Sequence, residues 1–419
     1  MGSRVFVLGP GASRWPEFGD GSSVALPLPH ACFAYGKEHG LADPFAPLWR
    51  LLRRVGIDEA RLLNGTPDVD ALFGIVDRVR DVLWHLDPFN PSHAGTADVD
   101  DGGGGVGVSE FDEALFDYWD RCPRDDLVAF VAAVLQRSTE PLLRARCSIH
   151  QRFAAALEPG DTVVSLNADL LMDEALRATG RWFEADGYGT GAFLTSSVMS
   201  RLGWRPVKLP ATAVEEIAPN HGRSGVLLLK PHGSLNWWRV FRAGWDMEIA
   251  GSRKEWPSQE HTYLLRTEAA LTEPLGRSDG EGEVARARWS MMDARQRAAW
   301  LRSRSRLGED EGPQLGPPTA SAGASVEGTV LRDVWNASLR AISGATSVFV
   351  VGYSFPAAHA AFQVLLAHAL TRAVKRPQVT VGHPDPDAVV ACARRSGVVS
   401  VDGWRRRAVG FLAFVAEVS

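Results

Sequence analysis

Five short apolar segments along the chain each end in glycine or a polar motif. They are Val5–Leu8, Val163–Leu166, Val226–Leu229, Val348–Val351 and Val379–Val381, followed in turn by Gly9–Ser13, Asn167–Asp169, Lys230–Gly233, Gly352–Pro356 and Gly382–Asp385. Continuous runs of valine and leucine are typical of parallel strands that are buried on both faces. In open α/β sheets, ligands bind beyond the carboxyl ends of such strands. The pattern therefore predicts that the five motifs converge on one site.

Between the first two strand segments, the apolar positions change to helical spacing. This spacing recurs from Phe45 to Leu86, at Phe111, Leu115 and Trp119, and from Asp125 to Leu157. A helix that delivers the chain into a buried strand is the βαβ pattern. Helices are also predicted over Val326–Ser343 and Ala357–Val374. We expect an α/β fold with a Rossmann-like, mostly parallel sheet and helices on both faces.

Two insertions are expected to interrupt this sheet. Residues 1–34, 151–238 and 326–419 form the predicted core, 35–150 a helical insertion, and 239–325 a second, irregular surface insertion that is partly flexible. A flexible loop is predicted at Asp98–Gly105, because an acidic, glycine-rich segment cannot bury enough apolar surface to become ordered. A short helix is expected near Met291–Arg302. The sequence assigns no role to residues 170–221.

Composition excludes several classes of protein. Among the 419 residues, 45% are hydrophobic and 23% charged, which is ordinary for a globular chain. No apolar stretch approaches the roughly 18 to 20 residues that span a bilayer, and the first 15 residues lack a signal pattern, so we expect a cytoplasmic protein. A net charge of −5 gives no direct indication of nucleic-acid binding. The four cysteines show no C-x-x-C spacing, so neither a metal site nor a disulfide framework is expected.

The two glycine motifs are candidate nucleotide contacts. Gly9–Ser13 directly follows a strand, where glycines let a backbone approach a ligand and free N–H groups can hold a phosphate. A plain tight turn is the alternative, since Arg14 occupies the last glycine position of a G-x-G-x-x-G motif. In Gly352–Pro356, Ser354 could donate to a phosphate or a ribose, or the segment is a turn that ends at proline.

Three polar residues at strand ends are candidates for catalysis. Asn167 could bind a ribose hydroxyl or an attacking water, with Asp169 as an acceptor or base, although both residue types also favour Asx turns and helix caps. His232 follows an apolar strand, which would place an imidazole with a near-neutral pKa at the ligand edge of the sheet. A structural histidine is the alternative there.

Taken together, these segments resemble the sirtuin-like family, and within it the bacterial sirtuin-like NAD hydrolases associated with anti-phage defence. The resemblance rests on Gly9–Ser13, Asn167 with Asp169, Lys230–Trp237 and Gly352–Pro356, in that order along the chain. It covers residues 4–13, 161–176, 226–238 and 326–387. It implies that NAD is the substrate, that Asn167, Asp169 and His232 are catalytic, and that the nucleotide is contacted by Gly9, Gly11, Ala12, Ser13, Gly352, Ser354 and His383.

The resemblance implies hydrolysis of NAD to nicotinamide and ADP-ribose by a regulated anti-phage effector. It implies a homo-oligomer, with a sensor or helicase-type ATPase as a further partner. The chain also departs from the family pattern: Pro10 removes an N–H from the first loop, Ala357–His359 lacks the Asp common after the Ser-Phe-Pro segment, and His383 replaces an Asn. The zinc module of protein-deacylating sirtuins has no counterpart here. The alternatives are a non-catalytic subunit that binds NAD or ADP-ribose and acts through a partner and, less favoured, a protein deacylase.

Overall fold

A computed structural model describes residues 3–14, 26–86, 123–183, 187–189, 198–199, 206–207, 224–242, 246–249, 252–255, 259–264, 312–315, 330–398 and 401–418. The helices in these ranges are Cys32–Glu38, Ala46–Arg54, Glu59–Leu63, Val69–Leu86, Pro123–Ala145, Ser148–Ala156, Leu171–Ala178, Val330–Gly344, Ala360–Arg372, Pro386–Arg395 and Phe411–Val418. The strands are β1 Arg4–Leu8, β2 Thr162–Ser165, β3 Val198–Met199, β4 Pro206–Val207, β5 Leu227–Leu229, β6 Gly233–Arg242, β7 Asp246–Ile249, β8 Ser252–Glu255, β9 Gln259–Leu264, β10 Gly312–Leu315, β11 Ser347–Val351, β12 Gln378–Gly382 and β13 Arg405–Arg407.

The main sheet has six strands in the order β13-β12-β11-β1-β2-β5, and every neighbouring pair is parallel. Counted along the chain within this sheet, the order is 6-5-4-1-2-3, which is that of a doubly wound α/β fold. Because parallel crossovers are right-handed, winding outward in both directions from β1 places the connecting helices on opposite faces. The prediction of a Rossmann-like, mostly parallel sheet is confirmed.

The strands form where the apolar runs predicted them. Each of the five predicted strands overlaps an observed strand. The side chains of these strands, which are β1, β2, β5, β11 and β12, are mostly buried. The sixth strand, β13, was not predicted because its three arginines are exposed and carry no apolar signal. Charged residues are common on edge strands, where they discourage pairing with another chain.

The helices differ from the predicted pattern in two ways. The helical stretch predicted over Asp125–Leu157 is two helices, because the backbone turns at Arg146, whose φ is 58°. Helices at Leu171–Ala178, Pro386–Arg395 and Phe411–Val418 were not predicted. The first of these gives part of the unassigned segment 170–221 a place beside the sheet.

The apolar side chains form two clusters. One surrounds the six-stranded sheet, and the other is built from helices between Cys32 and Val134. The Pro123–Ala145 helix contributes to both clusters through Val128 and Leu135. Cys32, just before the expected start of the helical insertion at residue 35, packs with the helices, whereas Leu142, within the expected range 35–150, packs with the sheet. The division into domains stays a prediction.

The second insertion is more regular than expected. In its described parts, β6 pairs antiparallel with β9 and β10, and β7 pairs with β8. These segments therefore contain paired strands, and the extent of the second insertion stays a prediction. The predicted loop at Asp98–Gly105, the helical positions Phe111, Leu115 and Trp119, and the helix near Met291–Arg302 lie outside the described residues. No helix in the described part of the chain is long and apolar enough to cross a membrane.

Candidate functional site

Beside the candidate site, the strand order reverses between β1 and β11. The loop that follows β1 and the loop that follows β11 meet there through their backbones. Gly9 N–H donates to the Val351 carbonyl at 3.0 Å, and Gly11 N–H donates to the Gly352 carbonyl at 2.9 Å. Reversal points of this kind open the crevice in which doubly wound folds bind ligands.

The glycines of these two loops allow the loops to contact each other. A Cβ placed on Gly9 would lie 2.5 Å from the Gly352 carbonyl oxygen. Gly352 has a φ of 63°, and its Cβ would lie 2.5 Å from the Ala12 nitrogen. The close backbone approach that the sequence predicted is therefore made between the two loops.

The N–H groups of the first loop are all used within the protein. Besides the bonds from Gly9 and Gly11, Ala12 N–H donates to the Gly9 carbonyl at 2.9 Å and Ser13 N–H to the Pro10 carbonyl at 3.2 Å. Pro10 has no N–H to offer. The expectation that free N–H groups of this loop hold a phosphate is thus wrong for this conformation, and contact of Gly9, Gly11 or Ala12 with a nucleotide stays a prediction.

A cavity of about 100 Å³ opens beside these loops. Its polar wall comes from the strand ends and includes Ser13, Asn167, Asp169 and His232. The opposite wall comes mostly from the helical cluster and the segment before it, and its residues are Leu26, Pro27, Leu28, Pro29, Cys32, Val69, Asp70, Phe73, Val131, Val134 and Leu135. The structure thus brings together all three predicted catalytic residues and Ser13.

Asn167 is held by a residue from the first loop. Its side-chain Nδ2 donates to Ser13 Oγ at 2.8 Å, and its backbone N–H donates to Ser165 Oγ at 3.2 Å. Its Oδ1 is buried and has no hydrogen-bond partner among the described residues. Since buried polar atoms are nearly always paired, this oxygen is available to a ligand in the cavity.

Asp169 has a structural task. Its Oδ1 accepts a hydrogen bond from Leu171 N–H at 3.0 Å, at the beginning of the Leu171–Ala178 helix. This is the Asx-turn geometry that the sequence left open as the alternative, placed just before the helix, whose N-cap residue is Leu170. A catalytic role for Asp169 stays a prediction, although its carboxylate does line the cavity.

A buried network that the sequence analysis missed fixes the position of the His232 loop. The Lys230 ammonium is fully buried and donates to the Asp169 carbonyl at 2.6 Å, to Asp173 Oδ2 at 2.7 Å and to Ser234 Oγ at 2.7 Å. Asp173 in turn accepts from Tyr188. A lysine at the end of an apolar strand was the available signal, because lysine is almost never fully buried without a partner.

His232 is buried and neutral. Its side chain lies beside the cavity, the residue is 4% exposed, and Nε2 has no hydrogen-bond partner in the described part of the chain. Burial lowers its pKa well below 6.5, and the nearby His359 lowers it further, while a hydrogen bond to the backbone of Leu166 acts in the opposite direction. The N–H of Leu166 is already donated to Leu8, so the Leu166 carbonyl is the acceptor. Nδ1 therefore carries the proton, and Nε2 presents a lone pair.

Two further residues near His232 were not among the predicted ones. His359 is 1% exposed, and its ring centroid lies 4.4 Å from that of His232. Its Nε2 lies 3.0 Å from Asp70 Oδ2, which comes from the helical insertion. Nothing in the local pattern could have joined Asp70 to His359, because they are 289 residues apart.

Other predicted contacts lie outside the cavity. Gly352, Ser354 and His383 are not among the described residues that line the cavity. Ser354 is exposed in the loop after β11, and His383 Nδ1 accepts from Asp385 N–H at 3.0 Å in the turn after β12. Their roles in nucleotide binding stay predictions. The described residues hold no group of three or more His, Cys, Asp or Glu side chains that could bind a metal ion.

Fold and site together define a doubly wound α/β protein with a cavity at the carboxyl ends of β1, β2 and β5, polar on the wall that the strand ends form and apolar on the other. No protein-family model matches the chain, and no curated protein matches it. Among solved structures, it is similar to a mutant of a Sir2 homologue in complex with ADP-ribose, with 15% identity over 69% of this chain and 72% of that chain, and a TM-score of 0.30. A similarity at this score does not indicate a function.

Proposed function

We propose that this protein is a sirtuin-like NAD hydrolase that cleaves the bond between nicotinamide and ribose. One observation carries the proposal: Asn167 and His232 line one cavity, and each carries a buried polar atom that lacks a partner among the described residues. Asn167 Oδ1 and His232 Nε2 are both acceptors, which suits a water or a ribose hydroxyl. The sequence motifs that resemble the sirtuin-like family support the same residues.

The proposed reaction needs an oriented water and a base. The C1′–N bond of the nicotinamide ribose breaks, and its electron pair neutralises the pyridinium, so nicotinamide leaves uncharged. The ribose develops oxocarbenium character, and water adds to C1′ to give ADP-ribose. The proton of that water passes to His232 Nε2 and then to solvent. Orientation by Asn167, itself held by Ser13, would supply the alignment that makes such an attack fast.

The protonation state of His232 fits this role. A general base must be unprotonated at working pH and within reach of the proton that it removes. Burial and the neighbouring His359 lower the pKa of His232 well below 6.5, so the ring is neutral near pH 7. The bond to the Leu166 backbone leaves Nε2 as the free lone pair.

The direct experiment follows nicotinamide release from NAD by the purified protein. We expect turnover by the natural sequence, and loss of at least 100-fold, of order the ~10² to 10⁴ that general base catalysis supplies, in His232→Gln. Asp161→Asn is the matched control, since Asp161 is a buried carboxylate paired with Arg4 at the opposite end of β2. Equal rates in His232→Gln and the natural sequence would reject the mechanism.

A binding subunit without turnover is the second candidate. It is favoured by the burial of His232, which is 4% exposed, and by the loss of free N–H donors in the first loop. Calorimetry with ADP-ribose and NAD separates the two candidates. Binding without nicotinamide release, tested also after addition of candidate partners, would support the subunit and reject the hydrolase.

The biological setting is proposed on the sequence resemblance alone. A regulated effector of anti-phage defence would lower cellular NAD only after infection. Expression in a bacterial host, followed by phage challenge and measurement of NAD, tests this, with His232→Gln as the comparison. Light scattering on the purified protein tests the proposed homo-oligomer.

A further inference from the structure

His232 is in contact with a second buried imidazole. His359 ends the short helical turn Ala357–His359 that follows β11. The planes of the two rings are inclined at 84°, with centroids 4.4 Å apart, so one ring meets the other edge to face. His359 also stacks on Tyr353, with centroids 5.7 Å apart and an angle of 14°. These two ring contacts restrict the rotation of the His359 side chain.

Asp70 completes the arrangement from the helical insertion. Its Oδ2 lies 3.0 Å from His359 Nε2, and it belongs to the first turn of the Val69–Leu86 helix. A carboxylate can only accept a hydrogen bond, so Nε2 of His359 carries the proton. This fixes the tautomer and the orientation of the His359 ring. Among the described contacts of His359, the charged and titratable groups are Asp70, His232 and Tyr353.

Asp70 and His359 lie at different positions relative to the cavity. Asp70 lines it, whereas His359 is not among the described residues that do so. His359 thus lies behind His232, between the base and the carboxylate. No contact of His359 with a substrate in the cavity is needed for it to act.

We propose that Asp70 and His359 are positioning residues that hold the His232 ring in the orientation that presents Nε2 to the cavity. The activity readout of this inference rests on the proposed hydrolysis. The pair also makes the base depend on the helical insertion, because Asp70 reaches His359 only while the Val69–Leu86 helix packs against the Ala357–His359 turn.

The experiment compares Asp70→Asn, His359→Gln and His359→Ala in the full-length protein, with Asp161→Asn as the control. We expect kcat for nicotinamide release to fall about 10- to 100-fold in Asp70→Asn and His359→Ala, because a misplaced catalytic group loses rate on this scale. KM and the affinity for ADP-ribose should stay within about twofold of the values for the natural sequence. His359→Gln should recover part of kcat, because its amide can still donate to Asp70. Asp161→Asn should lower the melting temperature and leave kcat unchanged.

A second readout does not depend on turnover. The imidazole nitrogen resonances of ¹⁵N-histidine-labelled protein report the tautomer of each ring, and His232→Gln identifies those of His232. We expect one tautomer, protonated at Nδ1, in the natural sequence, and a shift or mixture in Asp70→Asn and His359→Ala. Unchanged kcat or unchanged His232 resonances in folded variants would overturn the inference. Absence of nicotinamide release by the natural sequence would instead reject the proposed function. The His232 resonances would still test whether Asp70 and His359 position the His232 ring.

Discussion

Asn167 Nδ2 donates to Ser13 Oγ at 2.8 Å, which joins the loop after β1 to the loop after β2 across 154 residues. The bond occupies the amide nitrogen of Asn167, and the buried side-chain oxygen is left without a partner among the described residues. Two motifs that are individually weak in the sequence therefore act as one unit in the folded chain.

Loss of this bond should impair turnover more than binding. In Ser13→Ala, the Asn167 side chain loses its anchor, and a hydrogen bond of about 0.5 to 1.5 kcal/mol corresponds to a loss of roughly 2- to 13-fold in kcat. The measurement is the rate of nicotinamide release, with ADP-ribose affinity measured by calorimetry. Ser338→Ala is the matched control, since Ser338 is also buried but bonds to Val334 within its own helix. Equal losses in the two variants would contradict the assigned role.

Gly352 should tolerate no side chain. Its positive φ alone costs a non-glycine residue about 1 to 3 kcal/mol, and the contact with Ala12 adds overpacking of about 1 to 3 kcal/mol. Gly397→Ala isolates the first effect, because Gly397 has a φ of 79° and no described atom within 4 Å of an added Cβ. Urea unfolding should show Gly352→Ala to be the less stable by more than about 1 kcal/mol. Similar values for the two variants would mean that the loops separate easily.

Lys230 should be essential for stability. Replacing it with Met leaves the Asp173 carboxylate buried without its cation, which costs about 3 to 5 kcal/mol. Lys37→Met is the control, because Lys37 and Glu59 form an exposed pair worth at most about 1 kcal/mol. Unfolding by urea measures both. The double variant Lys230→Met with Asp173→Asn should recover part of the lost free energy of unfolding. If it recovers none, an uncompensated charge on Asp173 is not the cause of the loss.

Acid should destabilise the fold through its buried histidines. Burial lowers the pKa of His150 to about 4 and that of His232 well below 6.5. The native state therefore binds fewer protons than the unfolded state below pH 6.5, and stability falls as the pH falls. Each such ring contributes up to about 1.4 kcal/mol per pH unit.

The test is the free energy of unfolding between pH 7 and 5 for the natural sequence, His150→Gln and His232→Gln. Each substitution should make the dependence on pH shallower, whatever its effect on stability at pH 7. His368→Gln is the control, because His368 is exposed on the Ala360–Arg372 helix. Parallel curves for all four proteins would refute the linkage.

Much of the fold could be read from local pattern. Each apolar run folds as a strand because valine-rich segments bury both faces, and glycine or a polar residue ends each run where the chain leaves the sheet. The convergence of Ser13, Asn167 and His232 followed from the same pattern, since the carboxyl ends of parallel strands share one edge. In contrast, β13 carries only exposed arginines, so it had no signal of its own and forms through pairing with β12.

The sequence by itself determined the class of fold, the edge of the sheet that carries the site and most of its polar residues. Tertiary structure decided what those residues do. It joined Asp70 to His359, buried Lys230 against Asp173, committed the Asp169 carboxylate to a helix terminus and used the N–H groups of the first loop within the protein. Periodicity and motifs report burial and local geometry, whereas hydrogen-bond partners hundreds of residues apart are chosen by how the helices pack on the sheet.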